Sequence, residues 1–189
     1  MEREPENFVN NLTLVVSALD FAAKKHRDQR RKDHAASPYI NHPITLVKIL
    51  VAEAQITDAV VIASAILHDT VEDTDTTFDE IEEHFGAQIA SIVREVTDDT
   101  RLPRAERKAQ QIKHAPFLSP EAALVKFADK IANLRDLLCA PPIHWSLDRK
   151  WDYCEWAETV VSNISEPNTT LKSLFQETVR QFKDTLSKP

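Results

Sequence analysis

Residues 58–73 read DAVVIASAILHDTVED, and the fold follows from how this segment is read. Val60, Val61, Ile62, Ala63, Ala65, Ile66 and Leu67 leave almost no polar face on a helix, and a helix that is apolar nearly all round belongs in the middle of a protein. Thr57 is placed to cap it, which predicts a central helix from about Asp58 to Val71. At its far end the sequence changes character, to His68 and Asp69 and then Glu72 and Asp73. A buried carboxylate without a partner costs several kcal/mol until its pKa shifts. Three carboxylates and an imidazole closing the most apolar segment therefore call for a compensating charge, and a divalent cation supplies it.

Spacing sharpens the argument. Side chains four apart stack on one helix face, so Glu72 lies one turn beyond His68 and Asp73 one turn beyond Asp69. If His68 and Asp69 hold a metal, the acidic pair stands beside it, able to handle a water or a leaving group. Neighbouring side chains diverge by about 100° on a helix, so both reach one ion only if it sits off the helix end or between their directions. Further ligands must come from elsewhere. His42 lies in Asn41-His42-Pro43, where the proline fixes a helix start. Asp129 is the second lone carboxylate in an apolar helix, in KFADK over 126–130, with Asn133 one turn beyond it. Two His and two Asp suit Mn²⁺, Fe²⁺ or Zn²⁺, with positions left open for water and a phosphate oxygen. Each signal alone is common by chance; the constellation is not. His26, on the apolar face of the first helix, reads as a hydrogen-bonded core histidine. His34, His84, His114 and His144 sit in polar surroundings and read as solvent-facing.

The rest of the 189 residues is consistent with one helical domain. The one glycine, Gly86, excludes a Walker loop and a dinucleotide-binding turn and disfavours a β-rich fold. A formal net charge of −7 disfavours general nucleic-acid or membrane-surface binding, so phosphates would have to meet local basic clusters or a metal. Cys139 and Cys154 read as free thiols of a reducing cytosol, and residues 1–7 carry no apolar signal core. Helical periodicity dominates. Leu12, Val15, Val16, Leu19, Ala22, Ala23 and His26 share a face of the first helix. Ile44, Val47, Leu50 and Val51 are the expected inward face of the second. Thr77 and Glu80 form a capping-box pattern, Gly86 a helix stop, and Ser119-Pro120 the start of a helix through Leu138. Two more helices are expected near 147–164 and 169–186. The expected fold is an all-α bundle of roughly eight or more helices, a single domain over 1–189 with its core about 12–165 and a C-terminal capping helix about 169–186.

With these motifs in place the chain resembles the HD-domain (p)ppGpp hydrolases, in particular the small alarmone hydrolases of the metazoan SpoT-homologue family. The matching stretches are His26-Arg27 with QRRKD (29–33), PYINHP (38–43), LHDTVEDTDT (67–76), Phe85-Gly86-Ala87, EVTDD (95–99) and KFADKIANLRDL (126–137), in the expected order over most of 12–160. The resemblance implies an all-α fold, one Mn²⁺ held by His42, His68, Asp69 and Asp129, and Glu72 and Asp73 as the catalytic acidic pair. It implies Arg31 and Lys32 as the basic pair facing guanine and phosphate, and Asn133 as a contact to the sugar. Tyr153, Arg104 and Arg149 resemble further substrate-side positions. Bifunctional relatives carry a synthetase domain after the hydrolase; this chain is too short for one, so synthesis is not expected.

The reaction so implied is removal of the 3′-pyrophosphate of (p)ppGpp to give GDP or GTP. Three other readings stand beside it. The same site could cleave another nucleotide phosphate, and the family implies the 2′-phosphate of NADPH. The bundle could be a non-catalytic nucleotide sensor, although an acidic pair beside a phosphate would repel its ligand. It could also be a structural bundle with a buried acidic network. By themselves, Arg30-Arg31-Lys32 read as a solvated basic loop, and Arg107 and Lys108, beside Glu106, as a salt-bridged solvated face.

Overall fold

The computed structural model describes residues 4–165 and 168–186, so the ends of the 1–189 span lie outside the described residues. Its centre is α3 (Ala59–Leu67), of which every residue but Val60 is buried. The cap is Asp58 rather than Thr57. The Asp58 carboxylate accepts the amides of Val60 at 2.8 Å and Val61 at 3.4 Å, satisfying two of the orphan donors of a helix start. The helix also ends sooner than its sequence pattern suggests, at Leu67. Thr70 Oγ1 donates to the carbonyl of Leu67 at 2.6 Å, and His68 Nδ1 lies 2.8 Å from that of Ala65. These side chains serve last-turn carbonyls that amides would otherwise serve. A short turn, α4 (Thr70–Asp73), follows.

Around this centre run α1 (Glu4–Lys25), α2 (Asn41–Lys48) continuing into a π-helical turn (Ile49–Glu53), α5 (Phe78–Phe85), α6 (Ala87–Val96), α7 (Arg104–His114), α8 (Pro120–Cys139), α9 (Leu147–Ser162) and α10 (Thr169–Thr185). The fold is all-α; extended pairing among the described residues is confined to a bridge between Arg30 and Pro38. None of the described helices is long and apolar enough to cross a membrane. Both cysteines are free. Cys139 is exposed, while burial pushes the Cys154 thiol up to about 12.

Two packed clusters form the core, and α3 serves both, which is why it has no polar face. Val61 and Ala65 pack with Leu46, Phe127, Ile131 and Leu134, whereas Ile62, Ala63, Ile66 and Leu67 pack with Ala18, Ala22, Ile81 and Ile89. The last helix does more than cap. Leu171 and Phe182 are fully buried, and the rings of Phe175 and Phe182 lie 6.4 Å from Phe127 and 5.5 Å from Trp151.

Two helix faces differ from expectation. On α1, Ala18 and Ala22, followed by His26 just past its end, point inward while Leu12 and Val16 are exposed. On α2 the inward set is His42, Pro43 and Leu46, continued by Ile49 and Leu50, with Ile44 and Val51 exposed. Once His42 faces the interior, positions four and seven to eight residues on must share its face, and Ile44 is left on the other side. His26 is buried as expected, Nδ1 at 2.6 Å from Gln29 Oε1 and the ring stacked 4.7 Å from Tyr39. His34, His84, His114 and His144 are exposed.

Thr77 caps α5 through its Oγ1, which accepts the Glu80 amide at 3.2 Å. The Glu80 carboxylate is turned instead to Lys25 Nζ, at 3.1 Å. Gly86 joins α5 to α6 at φ 87° and ψ 162°, a region that is essentially glycine's alone. No atom lies within 4 Å of a Cβ built there, so the cost of a side chain is conformational. Gly86→Ala is expected to cost about 1–3 kcal/mol, lowering the melting temperature by roughly 2–12 °C for a chain of this size. Thermal denaturation measures this, and an unchanged midpoint would refute it.

Candidate active site

The break after Leu67 answers how two adjacent side chains can serve one point. His68 and Asp69 lie in the link between α3 and α4, and His68 Nε2 comes within 2.9 Å of Asp69 Oδ2. His42, at the start of α2, brings its Nε2 to 3.9 Å from Asp69 Oδ2 and 3.3 Å from Oδ1 of Asp129 on α8. Ligand atoms of His42, His68 and Asp69 all lie within 4.8 Å of one another; Asp129 stands just outside this trio, against His42.

Neighbouring groups hold these side chains in place. The carbonyl of Ala65 takes His68 Nδ1, so Nε2 is turned into the cluster, where it is buried without an aligned hydrogen-bond partner. The Tyr39 hydroxyl donates to Asp69 Oδ2. Asp129 accepts from Asn133 Nδ2 and from Lys130 Nζ, the latter at 3.0 Å. Burial works against ionisation of Asp129, but the Lys130 ammonium and His42 hold its carboxyl well below the usual range. Burial likewise opposes a charge on His68, and Asp69 more than reverses this, raising it to about 9. A proton thus balances the carboxylates when no cation does, and a metal must displace it. Two imidazoles and two ionised carboxylates converging around an orphaned, buried Nε2 fit a divalent cation.

The acidic pair splits between two cavities. Glu72 lines a small one of about 140 Å³ together with His42, His68, Asp69 and Asp129. Its Oε2 accepts the Asp98 amide at 3.0 Å and its Oε1 lies 3.2 Å from Arg107 Nη1. Burial, supported by the nearby Asp69 and Asp98 carboxylates and opposed by the Asp98 amide, pushes the Glu72 carboxyl up to about 7. Asp73 instead lines a larger cavity of about 440 Å³, where Gln29 Nε2 donates to it at 2.8 Å. Arg31, Tyr39, His42 and Asn133 line both cavities and form their junction.

The basic residues divide as well. Arg31 sits at the junction, its guanidinium donating to Asp136 and, at 3.5 Å, to Asn133. Lys32 lines the larger cavity, as do Tyr153 and Trp145. Arg104 and Arg149 are exposed and do not line it; they lie 5.8 and 4.4 Å from the Trp145 ring, which does. Arg107, read from sequence as a solvated residue, is the partner of Glu72, and Lys108 lies 4.8 Å over the Trp156 ring. Sequence reasoning passed over Tyr39, Lys130, Gln29, Asp98 and Asp136 as well. Each falls inside a matching stretch, Tyr39 in PYINHP, Gln29 in QRRKD, Asp98 in EVTDD, and Lys130 and Asp136 in KFADKIANLRDL, so their signal was membership of those stretches. Nothing in α7 alone reveals that it lies across Glu72.

The chain is similar to known proteins over most of its length. A model of the HD domain matches residues 18–149. The guanosine-3′,5′-bis(diphosphate) 3′-pyrophosphohydrolase MESH1 of Mus musculus is 56% identical over 167 residues, covering 86% of this chain and 93% of that protein. The Homo sapiens protein of the same name is 54% identical, covering 88% and 93%. Among solved structures, one described as a metazoan ortholog of SpoT that hydrolyzes ppGpp and plays a role in starvation responses superposes with a TM-score of 0.86 at 46% identity, covering 89% of this chain and 94% of that one.

Proposed function

The chain belongs to the HD-domain family, and from that premise we propose that it is a guanosine-3′,5′-bis(diphosphate) 3′-pyrophosphohydrolase, converting (p)ppGpp and water to GDP or GTP and pyrophosphate. One observation carries the reading. A pocket of about 440 Å³, large enough for a nucleotide, joins the small histidine–carboxylate cavity at Arg31, Tyr39, His42 and Asn133. A nucleotide seated in the first would present its 3′ side to the second.

His42, His68, Asp69 and Asp129 would hold the metal, for which we propose Mn²⁺. When bound, it lowers the pKa of water and polarises a phosphoryl oxygen. Glu72, inside the same cavity, orients the attacking water and accepts its proton as the oxygen adds to phosphorus. The bond from phosphorus to the ribose 3′-oxygen breaks, and that oxygen takes up a proton with help from Asp73 on the nucleotide side. Arg31 and Lys32 meet phosphate or base, Asn133 the sugar, and Tyr153 walls the pocket. Arg104 and Arg149 act through Trp145, steadying its ring against the nucleotide. Two free thiols and the acidic net charge support a cytoplasmic enzyme with a small-molecule substrate and no nucleic-acid partner.

The test is product analysis. Protein stripped of metal and reloaded with Mn²⁺ is offered ppGpp and NADPH in parallel. The expected result is Mn²⁺-dependent release of pyrophosphate from ppGpp. Orthophosphate from NADPH with no turnover of ppGpp would replace the substrate, and turnover of neither with metal bound would overturn the catalytic reading.

A further inference from the structure

His26 takes no part in the reaction described above, yet it is 2% exposed and is linked to both halves of the site. Its ring stacks on Tyr39, the centroids 4.7 Å apart and the planes 30° from parallel, and Tyr39 donates to Asp69 on the metal side. Nδ1 of His26 lies 2.6 Å from Gln29 Oε1, and Gln29 Nε2 lies 2.8 Å from Asp73 Oδ2 on the nucleotide side. Among the described residues, Gln29 is the one side chain that donates to Asp73.

The hydrogens of this chain can be placed. A carboxylate only accepts, so the Gln29 amide turns its NH₂ to Asp73 and its oxygen to His26. An amide oxygen also only accepts, so Nδ1 of His26 carries the hydrogen. Burial lowers His26 below the usual histidine value, and a neutral ring with its hydrogen on Nδ1 has a bare lone pair at Nε2. That atom is buried with no hydrogen-bond partner, a place where an N–H would stand orphaned. The main chain of Gln29 is held too. Its amide donates to the His26 carbonyl at 2.9 Å, and its carbonyl accepts the Tyr39 amide at 3.1 Å. What remains free is the side-chain amide, and His26 decides which way it faces.

We propose that His26 is a positioning residue for Asp73: its Nδ1–H holds the Gln29 amide so that Gln29 donates to Asp73 and cannot accept from it. The proposal rests on the hydrolase reading, in which Asp73 helps to protonate the ribose 3′-oxygen. A protonated Asp73 could give its hydrogen to the leaving oxygen or to an amide oxygen turned toward it. With Gln29 Oε1 held by His26, the second route is closed. The hydrogen passes from Asp73 to the 3′-oxygen as the bond to phosphorus breaks and that oxygen keeps the electron pair. Tyr39, stacked on the ring, fixes its plane and with it the direction of the Nδ1–H.

The test has a spectroscopic and a kinetic arm. In ¹⁵N NMR of the full-length protein carrying diamagnetic Zn²⁺, His26 is expected as a neutral ring protonated on Nδ1. The Gln29 side-chain amide should shift in His26→Phe, which keeps the ring and deletes the donor. With Mn²⁺ and ppGpp, His26→Phe should lower kcat about tenfold, the equivalent of roughly 1.4 kcal/mol, with KM and metal content unchanged. Gln29→Met, which removes the intermediary, should fall about as far, and adding His26→Phe to it should cost no more. His26→Asn, which puts an amide N–H where Nδ1 stood, should recover most of the rate. A merely structural histidine would lower the melting temperature and leave kcat of the folded protein unchanged. A hydrogen on Nε2, a wild-type kcat in His26→Phe, or losses that add in the double variant would overturn the proposal. Should His26→Phe fail to fold, an undiminished kcat in Gln29→Met, at a half-buried position, would overturn it equally. Lack of ppGpp turnover by the unaltered protein would strike the hydrolase reading instead, and the position of the hydrogen and the Gln29 shift would still decide whether His26 orients the amide.

Discussion

Asp69→Ala is expected to abolish stoichiometric metal binding and to lower hydrolysis by at least about 10³-fold, the equivalent of the several kcal/mol that a Lewis acid contributes to such a reaction. Asp69 is where the cluster is tied together. Its Oδ2 lies 2.9 Å from His68 Nε2 and 3.9 Å from His42 Nε2 and accepts the Tyr39 hydroxyl. Alanine removes the proposed ligand that lies against both imidazoles and also the group that orients Tyr39, leaving Asp129, beside His42, as the remaining carboxylate of the cluster. Metal content after gel filtration, read by elemental analysis, separates this from misfolding, because helical content and the cooperative thermal transition should persist. Retention of one equivalent of metal with wild-type affinity would refute the assignment of Asp69. Tyr39→Phe, which deletes only the hydroxyl, should weaken metal affinity without eliminating it.

Glu72→Gln is expected to have a comparable effect on rate with a different signature: a fall in kcat of about 10²–10⁴-fold, the contribution of a positioned general base, with metal content intact and KM little changed. Glutamine preserves shape and can still accept the Asp98 amide, so the change isolates the carboxylate's charge and basicity. The wild-type pH profile should carry the same information. Burial pushes the Glu72 carboxyl up to about 7, and a cation at the neighbouring cluster opposes that shift. A base works when ionised, so activity should rise with pH along a limb centred at or below about 7 and level off above it. In Glu72→Gln that limb should disappear from the residual rate. A variant with the wild-type limb, or with rate undiminished, would remove Glu72 from the role. Arg107→Ala, which strips the carboxylate of its guanidinium partner at 3.2 Å, should move the limb upward.

The HD-type site was legible because the residues that carry it break local rules. A histidine and three carboxylates at the end of an apolar helix, and an aspartate inside another, are anomalies in a hydropathy pattern, and they show in a linear sequence. The partners of those residues are not anomalies. Arg107 on a polar helix and Gln29 in a basic loop look the same whether they face solvent or a carboxylate. Lys130 is 3% exposed, yet in sequence it reads as an ordinary charged neighbour of Asp129. The misread faces of α1 and α2 have a related cause. In helices with apolar residues on several sides, periodicity allows more than one inward stripe, and the choice falls to whichever neighbour must be met.

By itself, then, the sequence determined the helical class, the buried central helix and the histidine and carboxylate residue types that gather at its end, because these depend on composition, local periodicity and the cost of burying charge. The tertiary structure decided the rest. It ended α3 at Leu67, so that His68 and Asp69 converge; it sent Glu72 and Asp73 into separate cavities; and it laid α7 across Glu72. These outcomes depend on distances between segments far apart in the chain, such as the 35 residues that separate Glu72 from Arg107, and such distances are set when packed surfaces meet, which no local pattern encodes.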